Sequence, residues 1–313
     1  MKITTTDHFE CQNKRPLISY ITVCYNSVES ITNTILSISR CKELFPCEYI
    51  IIDGNSNDGT EQILKRHEDL IDVLVREDDH GIYDAMNKGL RLARGDYICF
   101  VNSDDRVIPD GAFKIVKWLS IRHHRHDIVA SAALAIDRNK TTLWLPSALD
   151  KLLVFRCPNL CHNGVYAHRS VFQRVGNFDP SFHIAADSDW IIRAVRNNAN
   201  FTAVFTPTVC YRVGGVSKNT QMHATEMLQI AVKTFPLLRL EVIKSLFYHL
   251  FVWRDRKQLF TNHPMYSLPD AIMEAKKFYP ELAYGKKHLS RINWGLVAKV
   301  CGKMRYSLRT GDF

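Results

Sequence analysis

The sequence predicts an α/β fold: a mostly parallel sheet with flanking helices, followed by a helical C-terminal extension. Three observations predict it. Between residues 17 and 135, apolar β-branched runs alternate with stretches of helical period, the pattern of strands joined by covering helices. The residues after the strand-like runs are repeatedly acidic. Beyond Ser217 the pattern becomes long helical stretches in which Arg and Lys stand among Leu, Ile, Phe and Trp.

In chain order, strands are expected at 17–24, 49–52, 73–76, 97–101 and 128–132, each a short run rich in β-branched or aromatic residues. Helices are expected at 30–40, 59–67, 83–93 and 110–121. Gly54, Asn55 and Gly59 suit a turn before the second helix, and Asp58 suits its N-cap. Pro109 falls near the first turn of the fourth helix, where a missing N–H does little harm. From Thr141 to about Gly215 the alternation weakens into a segment rich in aromatics and histidine. The expected organisation is an N-terminal extension at 1–16, a catalytic-type domain at 17–217 and a helical region at 218–313, with the boundary at Gly214-Gly215-Val216-Ser217. Within the helical region, 237–253 carries an apolar stripe expected to pack on the preceding domain. The basic and aromatic stretch 294–309 is expected to suit an anionic membrane surface.

Composition narrows the class. With 313 residues, of which 46% are apolar, the chain can bury a real core. Met1 to Pro16 is polar and irregular, without the layout of a secretory signal, and no apolar run approaches the ~20 residues of a bilayer-spanning helix. The expected location is the cytoplasm, with peripheral attachment to the inner face of the plasma membrane as an extension of that reading. Nine cysteines, an odd and scattered set, suit buried reduced thiols rather than a disulfide framework. Cys157, Cys161 and His162 are close enough to suggest zinc, but no second ligand pair follows at the usual spacing. A net charge of +9 and a pI near 9.1 favour anionic partners. The basic residues form no single stripe with exposed aromatics, so nucleic acid is not an expected partner.

In open α/β sheets ligands bind beyond the carboxyl ends of the strands. Here the second strand runs into Asp53-Gly54-Asn55-Ser56-Asn57-Asp58-Gly59, the third into Asp78-Asp79-His80-Gly81 and the fourth into Asn102-Ser103-Asp104-Asp105. The pair Asp104-Asp105 suits Mn²⁺ or Mg²⁺, hard cations that a diphosphate also requires. The plain alternative is a polar turn with one Asp capping the next helix. Three strand ends that bring carboxylates to one edge would repel one another without a cation or donor groups. Asp58 is expected to be structural and Asp53 functional. No Gly-x-Gly-x-x-Gly follows the first strand and no phosphate-binding Gly-x-x-x-x-Gly-Lys-Ser/Thr occurs, which argues against a dehydrogenase or a P-loop enzyme.

Four segments, in order and spacing, resemble the family 2 glycosyltransferases with the GT-A fold, a Rossmann-like nucleotide-diphospho-sugar architecture. They are Ser19-Tyr20-Ile21-Thr22-Val23-Cys24-Tyr25-Asn26, the run from Tyr49 through Asp53 to Thr60, the run from Gly81 through Asn87-Lys88-Gly89, and the run from Gly95 to Asp104-Asp105. The resemblance implies a metal-dependent, inverting transfer of sugar from a nucleoside-diphosphate sugar, UDP-linked by expectation, to a hydroxyl acceptor. The acceptor it implies is a saccharide or lipid-linked saccharide, in bacterial surface polysaccharide, O-antigen or capsule assembly.

Carried over by position, the resemblance implies that Thr22, Tyr25, Asn26 and Asp79 line the nucleotide pocket and that Asp53 hydrogen-bonds the base. Asn87 and Lys88 would approach the ribose and diphosphate. Asn102 and Ser103 belong to the donor loop. The family's metal motif is usually Asp-x-Asp, and Asn102 stands at its first position, which leaves Asp104 as metal ligand with Asp105 second. Ala185-Ala186-Asp187-Ser188-Asp189-Trp190 resembles the family's second acidic motif, with Asp187 as catalytic base and Asp189 as runner-up. His162 would contact donor phosphates or acceptor. The competing reading is a non-catalytic nucleotide-sugar-binding protein that kept the fold, and the departure at Asn102 is its support.

Overall fold

The structure, a computed structural model, describes residues 16–121, 126–137, 140–146, 160–214, 219–250, 265 and 268–279. Its elements run β1 (Ile18–Cys24), α1 (Ile31–Leu44), β2 (Cys47–Asp53), α2 (Thr60–Arg66), β3 (Val73–Arg76), α3 (Ile82–Leu92), β4 (Tyr97–Phe100), β5 (Arg106–Val107), α4 (Pro109–Ile121), β6 (Ile128–Asp137), β7 (Lys140–Trp144), β8 (Val165–His168), α5 (Arg169–Val175), α6 (Ala186–Arg196), β9 (Phe201–Arg212), α7 (Thr220–Thr234), α8 (Leu240–Leu250) and α9 (Leu268–Phe278). The five expected strands and four expected helices are all present, with ends moved by a few residues. Pro109 opens α4 at its first position.

The strands form one sheet in the order β3-β2-β1-β4-β8-β6-β9-β5, with β7 on β6. The pairs β3–β2, β2–β1 and β1–β4 are parallel. Beyond β4 the sheet is mixed: β8 runs antiparallel to both β4 and β6, β6 pairs parallel with β9, and β5 and β7 are antiparallel edge pairings. The parallel half places the carboxyl ends of β1, β2 and β3 on one rim, and β4 ends on the same rim.

Alternation along the strands divides the core. Ile18, Tyr20 and Cys24 of β1 face a layer closed by Ile31, Ile35 and Ile38 of α1 and Ile115 of α4. Ile21 and Val23 face the opposite layer, with Met86 of α3, Trp190 of α6 and Met227 of α7.

The first of the long helical stretches expected beyond Ser217 is interrupted within the described residues. Pro236 follows α7, and α8 starts only at Leu240, because proline cannot continue a helix. The apolar stripe packs as expected: Val242, Ile243, Leu246 and Phe247 are buried in the same layer as Trp190. Each such side chain contributes roughly 1.5–3 kcal/mol by leaving water. No helix among the described residues is long and apolar enough to cross a membrane. The stretch 294–309 and Cys157 lie outside the described residues. The six described cysteines are free, and Cys24, Cys41 and Cys99 are buried.

Candidate active site

The turns after β1 and β2 are knitted together at the rim. Asn26 takes a left-handed conformation (φ 50°), its N–H donates to the Ser56 hydroxyl (2.8 Å), and its side-chain oxygen accepts from Asn57 N–H (3.0 Å). Asp58 accepts from Val28 N–H and Thr60 N–H, each at 3.0 Å, which fits the expected structural role one residue ahead of the α2 cap at Gly59. Tyr25 is left 63% exposed beside this turn. A side chain on Gly54 would collide with the Asp79 carboxylate and touch the Tyr25 ring, so Tyr25, Gly54 and Asp79 form one surface. Asp79 is held there by the Gly81 N–H (2.8 Å).

Asp53 lies beneath that surface. It is wholly buried, and its carboxylate accepts from the Ser56 N–H (3.2 Å), the Ser56 hydroxyl and Arg76 Nε (3.2 Å). With these donors all internal, Asp53 shapes the loop that carries Gly54. Arg76, its parallel neighbour on β3, supplies the compensating charge.

After β4 the pair Asp104-Asp105 divides. Asp105 is 3% exposed and accepts from the Asn163 amide (2.5 Å) and the Arg212 N–H (2.9 Å). Burial, and after it the charge of Asp104, pushes the Asp105 carboxyl up to about 7. Thr34 donates to the backbone carbonyls of Ser103 and Asp105, and the hydroxyls of Ser27 and Ser103 meet at 2.8 Å. These ties lock the loop and leave Asp104 exposed. Asp105 thus anchors the loop through Asn163 and Arg212.

Across the loop stands His162. Its Nε2 is 3.3 Å from Asn102 Oδ1 and its Nδ1 is 3.8 Å from Asp187 Oδ2. Burial lowers its basicity, against opposing pulls from Asp187 and then Asp104. Asp187, in the first turn of α6, accepts at Oδ1 from Ser188 N–H (2.7 Å), and the Tyr83 hydroxyl lies 3.3 Å from the same oxygen. The carboxylate remains 29% exposed. Asp187 and His162 form the polar end of a cavity of about 50 Å³ otherwise walled by Met86, Phe100, Phe178 and Trp190. Asp189 points elsewhere: it is 2% exposed and binds Arg193 Nε (2.7 Å), while Arg193 also donates to the carbonyls of Val175 and Asn177.

Three more of the expected site residues have their polar atoms engaged within the protein. Thr22 is fully buried and bonded to the Tyr49 hydroxyl (3.3 Å), because strand alternation turns it away from the face that Val23 shares. The Asn87 amide is spent on the backbone of Phe178, donating to its carbonyl (3.0 Å) and accepting from its N–H (3.1 Å). Lys88 donates to the Asp78 carbonyl (2.5 Å) and pairs with Glu77 (3.0 Å) and Asp84 (3.6 Å), fastening the β3–α3 loop. The reading of the sequence missed Arg76, Tyr83, Asn163 and Glu226. None carries a local signal, since each acts on a partner distant in sequence or on another strand.

Among the described residues, no three His, Cys, Asp or Glu side chains gather as a metal cage. The exposed Asp104 still fits a Mg²⁺- or Mn²⁺-type ion, which takes one or two carboxylates and completes its shell with substrate phosphates and water.

A family profile described as glycosyl transferase family 2 matches residues 19–193, more than half of the chain. The chain belongs to glycosyl transferase family 2. Its relatives include a PGL/p-HBAD biosynthesis glycosyltransferase of Mycobacterium bovis, 27% identical over 235 residues that cover 73% of this chain and 89% of the relative. Among solved structures, TarS 1-349 of S. aureus in complex with UDP superposes with a TM-score of 0.58 at 17% identity, covering 84% of this chain and 81% of the other. The mannosyltransferase PcManGT of Pyrobaculum calidifontis, in complex with GDP-Man and Mn²⁺, superposes with a TM-score of 0.56 at 15% identity, covering 95% and 81%. These likenesses establish the GT-A type of fold for this glycosyltransferase. The family match ends at 193, so β9, which supplies Arg212, and α7, which supplies Glu226, lie beyond it.

Proposed function

We propose that the protein transfers a sugar from a nucleoside-diphosphate sugar, UDP-linked by preference, to an acceptor hydroxyl, with inversion and with the help of Mn²⁺ or Mg²⁺. The observation that carries this reading is the meeting of an exposed Asp104 and a partly exposed Asp187 around His162. Asp104 would hold the cation, which when bound neutralises charge on the diphosphate. Tyr25, Asn26 and Asp79 offer the surface for the nucleoside. Asp187 accepts the proton of the acceptor hydroxyl as its oxygen attacks the anomeric carbon, and the bond to the nucleoside diphosphate breaks on the opposite side. An apolar wall of Met86, Phe100, Phe178 and Trp190 borders that carboxylate on one side.

The acceptor we favour is a saccharide or lipid-linked saccharide of bacterial surface polysaccharide assembly, with residues 294–309 as the candidate for attachment to an anionic membrane surface. The test is a donor screen that measures nucleoside diphosphate release with Mn²⁺, with and without chelator. Turnover with a UDP-sugar, its loss on chelation and its loss in Asp104→Ala are the expected results. Turnover that survives chelation sinks the metal, and no release from any donor sinks the activity.

A further inference from the structure

The segment that leads into α6 presents three successive backbone N–H groups to one point. His183 and Ile184 N–H reach the Glu226 carboxylate at 2.8 and 2.9 Å, and Ala185 N–H reaches it at 2.8 Å. Consecutive N–H groups of this kind form an anion-binding concavity, and Ala185 precedes a helix whose first N–H groups have no partner of their own. The anion is supplied from α7, some forty residues on in the chain. Glu226 is only 5% exposed, a costly place for a carboxylate unless donors surround it. From the other side the Tyr83 hydroxyl donates to the Ile184 carbonyl (2.6 Å). The peptide groups at 183–185 are thus gripped at both N–H and C=O, two residues before Asp187.

Packing alone does not account for this carboxylate. Ala224, Met227, Ile230 and Ala231 already bury α7 against the domain, and a buried charge is a poor source of stability beside an apolar side chain of similar volume. What the charge adds is a fixed position for the strand-like entry to α6.

We propose that Glu226 is a positioning residue: its carboxylate, held by the N–H groups of 183–185, sets the place of Asp187 in the cleft and makes α7 part of the catalytic apparatus. The proposal rests on the reading of Asp187 as the base. It predicts that a C-terminal helix outside the family match controls the rate of proton removal and leaves the donor surface untouched.

The experiment uses the full chain with Glu226→Gln, which keeps size and removes charge, alone and combined with Asp187→Asn. Transfer should fall roughly 100-fold in kcat, with KM for the donor changed by less than about twofold, since small displacements of a reacting group cost rate and not donor affinity. Backbone amides of 183–185 should exchange with deuterium faster than in the wild type, and those of β1 and β2 at the same rate. In the Asp187→Asn background the Gln substitution should cost nothing more. Should the Gln variant fail to fold, Glu226→Asp, which keeps the charge one methylene short, gives the same readings at an intermediate level.

Wild-type kcat in Glu226→Gln, an equal loss in the Asp187→Asn background, or a parallel loss of donor-nucleotide binding would each overturn the proposal. Normal transfer by Asp187→Asn overturns the reading of the base, and the proposal with it. That failure is distinct from normal transfer by Glu226→Gln beside a dead Asp187→Asn, which removes the proposal alone.

Discussion

The loop after β4 and the first turn of α6 each offer two carboxylates, and the two regions treat them alike up to a point. In each pair one member is buried, Asp105 at 3% and Asp189 at 2% exposure, and the other, Asp104 or Asp187, reaches the cleft. They differ in what compensates the buried member. Asp105 has neutral donors, the Asn163 amide and the Arg212 N–H, whereas Asp189 has the guanidinium of Arg193. Inside each pair, then, one carboxylate is tied into the fold and its neighbour is left facing the cleft.

The largest expected effect breaks the α6 pair on its functional side. Asp187→Asn should lower transfer by about 10²- to 10⁴-fold, the usual worth of a general base, while nucleotide titration shows donor affinity unchanged. Asp189→Asn should do the reverse. It leaves Arg193 without its carboxylate and should cost about 2 kcal/mol by denaturant unfolding, below the value for a fully buried pair because Arg193 is 25% exposed and keeps its backbone acceptors. Equal stability loss in both variants would erase the division of labour.

The two regions should also respond to pH with different signs. Because the folded carboxyl of Asp105 sits near 7 and the unfolded one near 3.8, its protonated form is favoured by folding. Its contribution is fully present below the unfolded value and is lost as pH rises through about 7. Metal-free protein should therefore lose thermal stability between about pH 4 and pH 7 in a way that Asp105→Asn does not share. On the approach to α6, Asp179 is instead held down to about 2, first by its bond to Lys233 of α7 (2.7 Å). Its contribution is present above the unfolded value near 3.8 and is lost as pH falls toward 2. Lys233 is 53% exposed and Asp179 30%, so Lys233→Ala should cost less than about 1 kcal/mol, and the loss should shrink further in high salt.

How far the sequence could be read follows from the range of the forces involved. Strands β1 to β4 and helices α1 to α4 show themselves because periodicity is local and each run is long enough to count. Strand β9 does not: Pro207 interrupts it, a residue that usually argues against a central strand. It is accommodated opposite Ala132, where the β6–β9 register shifts. Strand β8 lies in the stretch where the strand–helix alternation weakens, and β5, two residues long, carries too little pattern to recognise. In the site, the acidic positions were legible and their roles were not. Whether Asp104 or Asp105 is buried depends on Asn163 and Arg212, 58 and 107 residues away. Where Thr22 and Asn87 point is likewise decided by one strand step and one remote peptide group.

The grip of Glu226 on 183–185 bears on how such enzymes diversify. If relatives exchange their C-terminal helices to meet new acceptors, an incoming helix must carry an acid that reaches this concavity, or the loop must change with it. Substitutions at 226 and at 183–185 are then expected to be inherited together, so that the junction between conserved and variable parts falls at the end of α7 and not at the edge of the sheet.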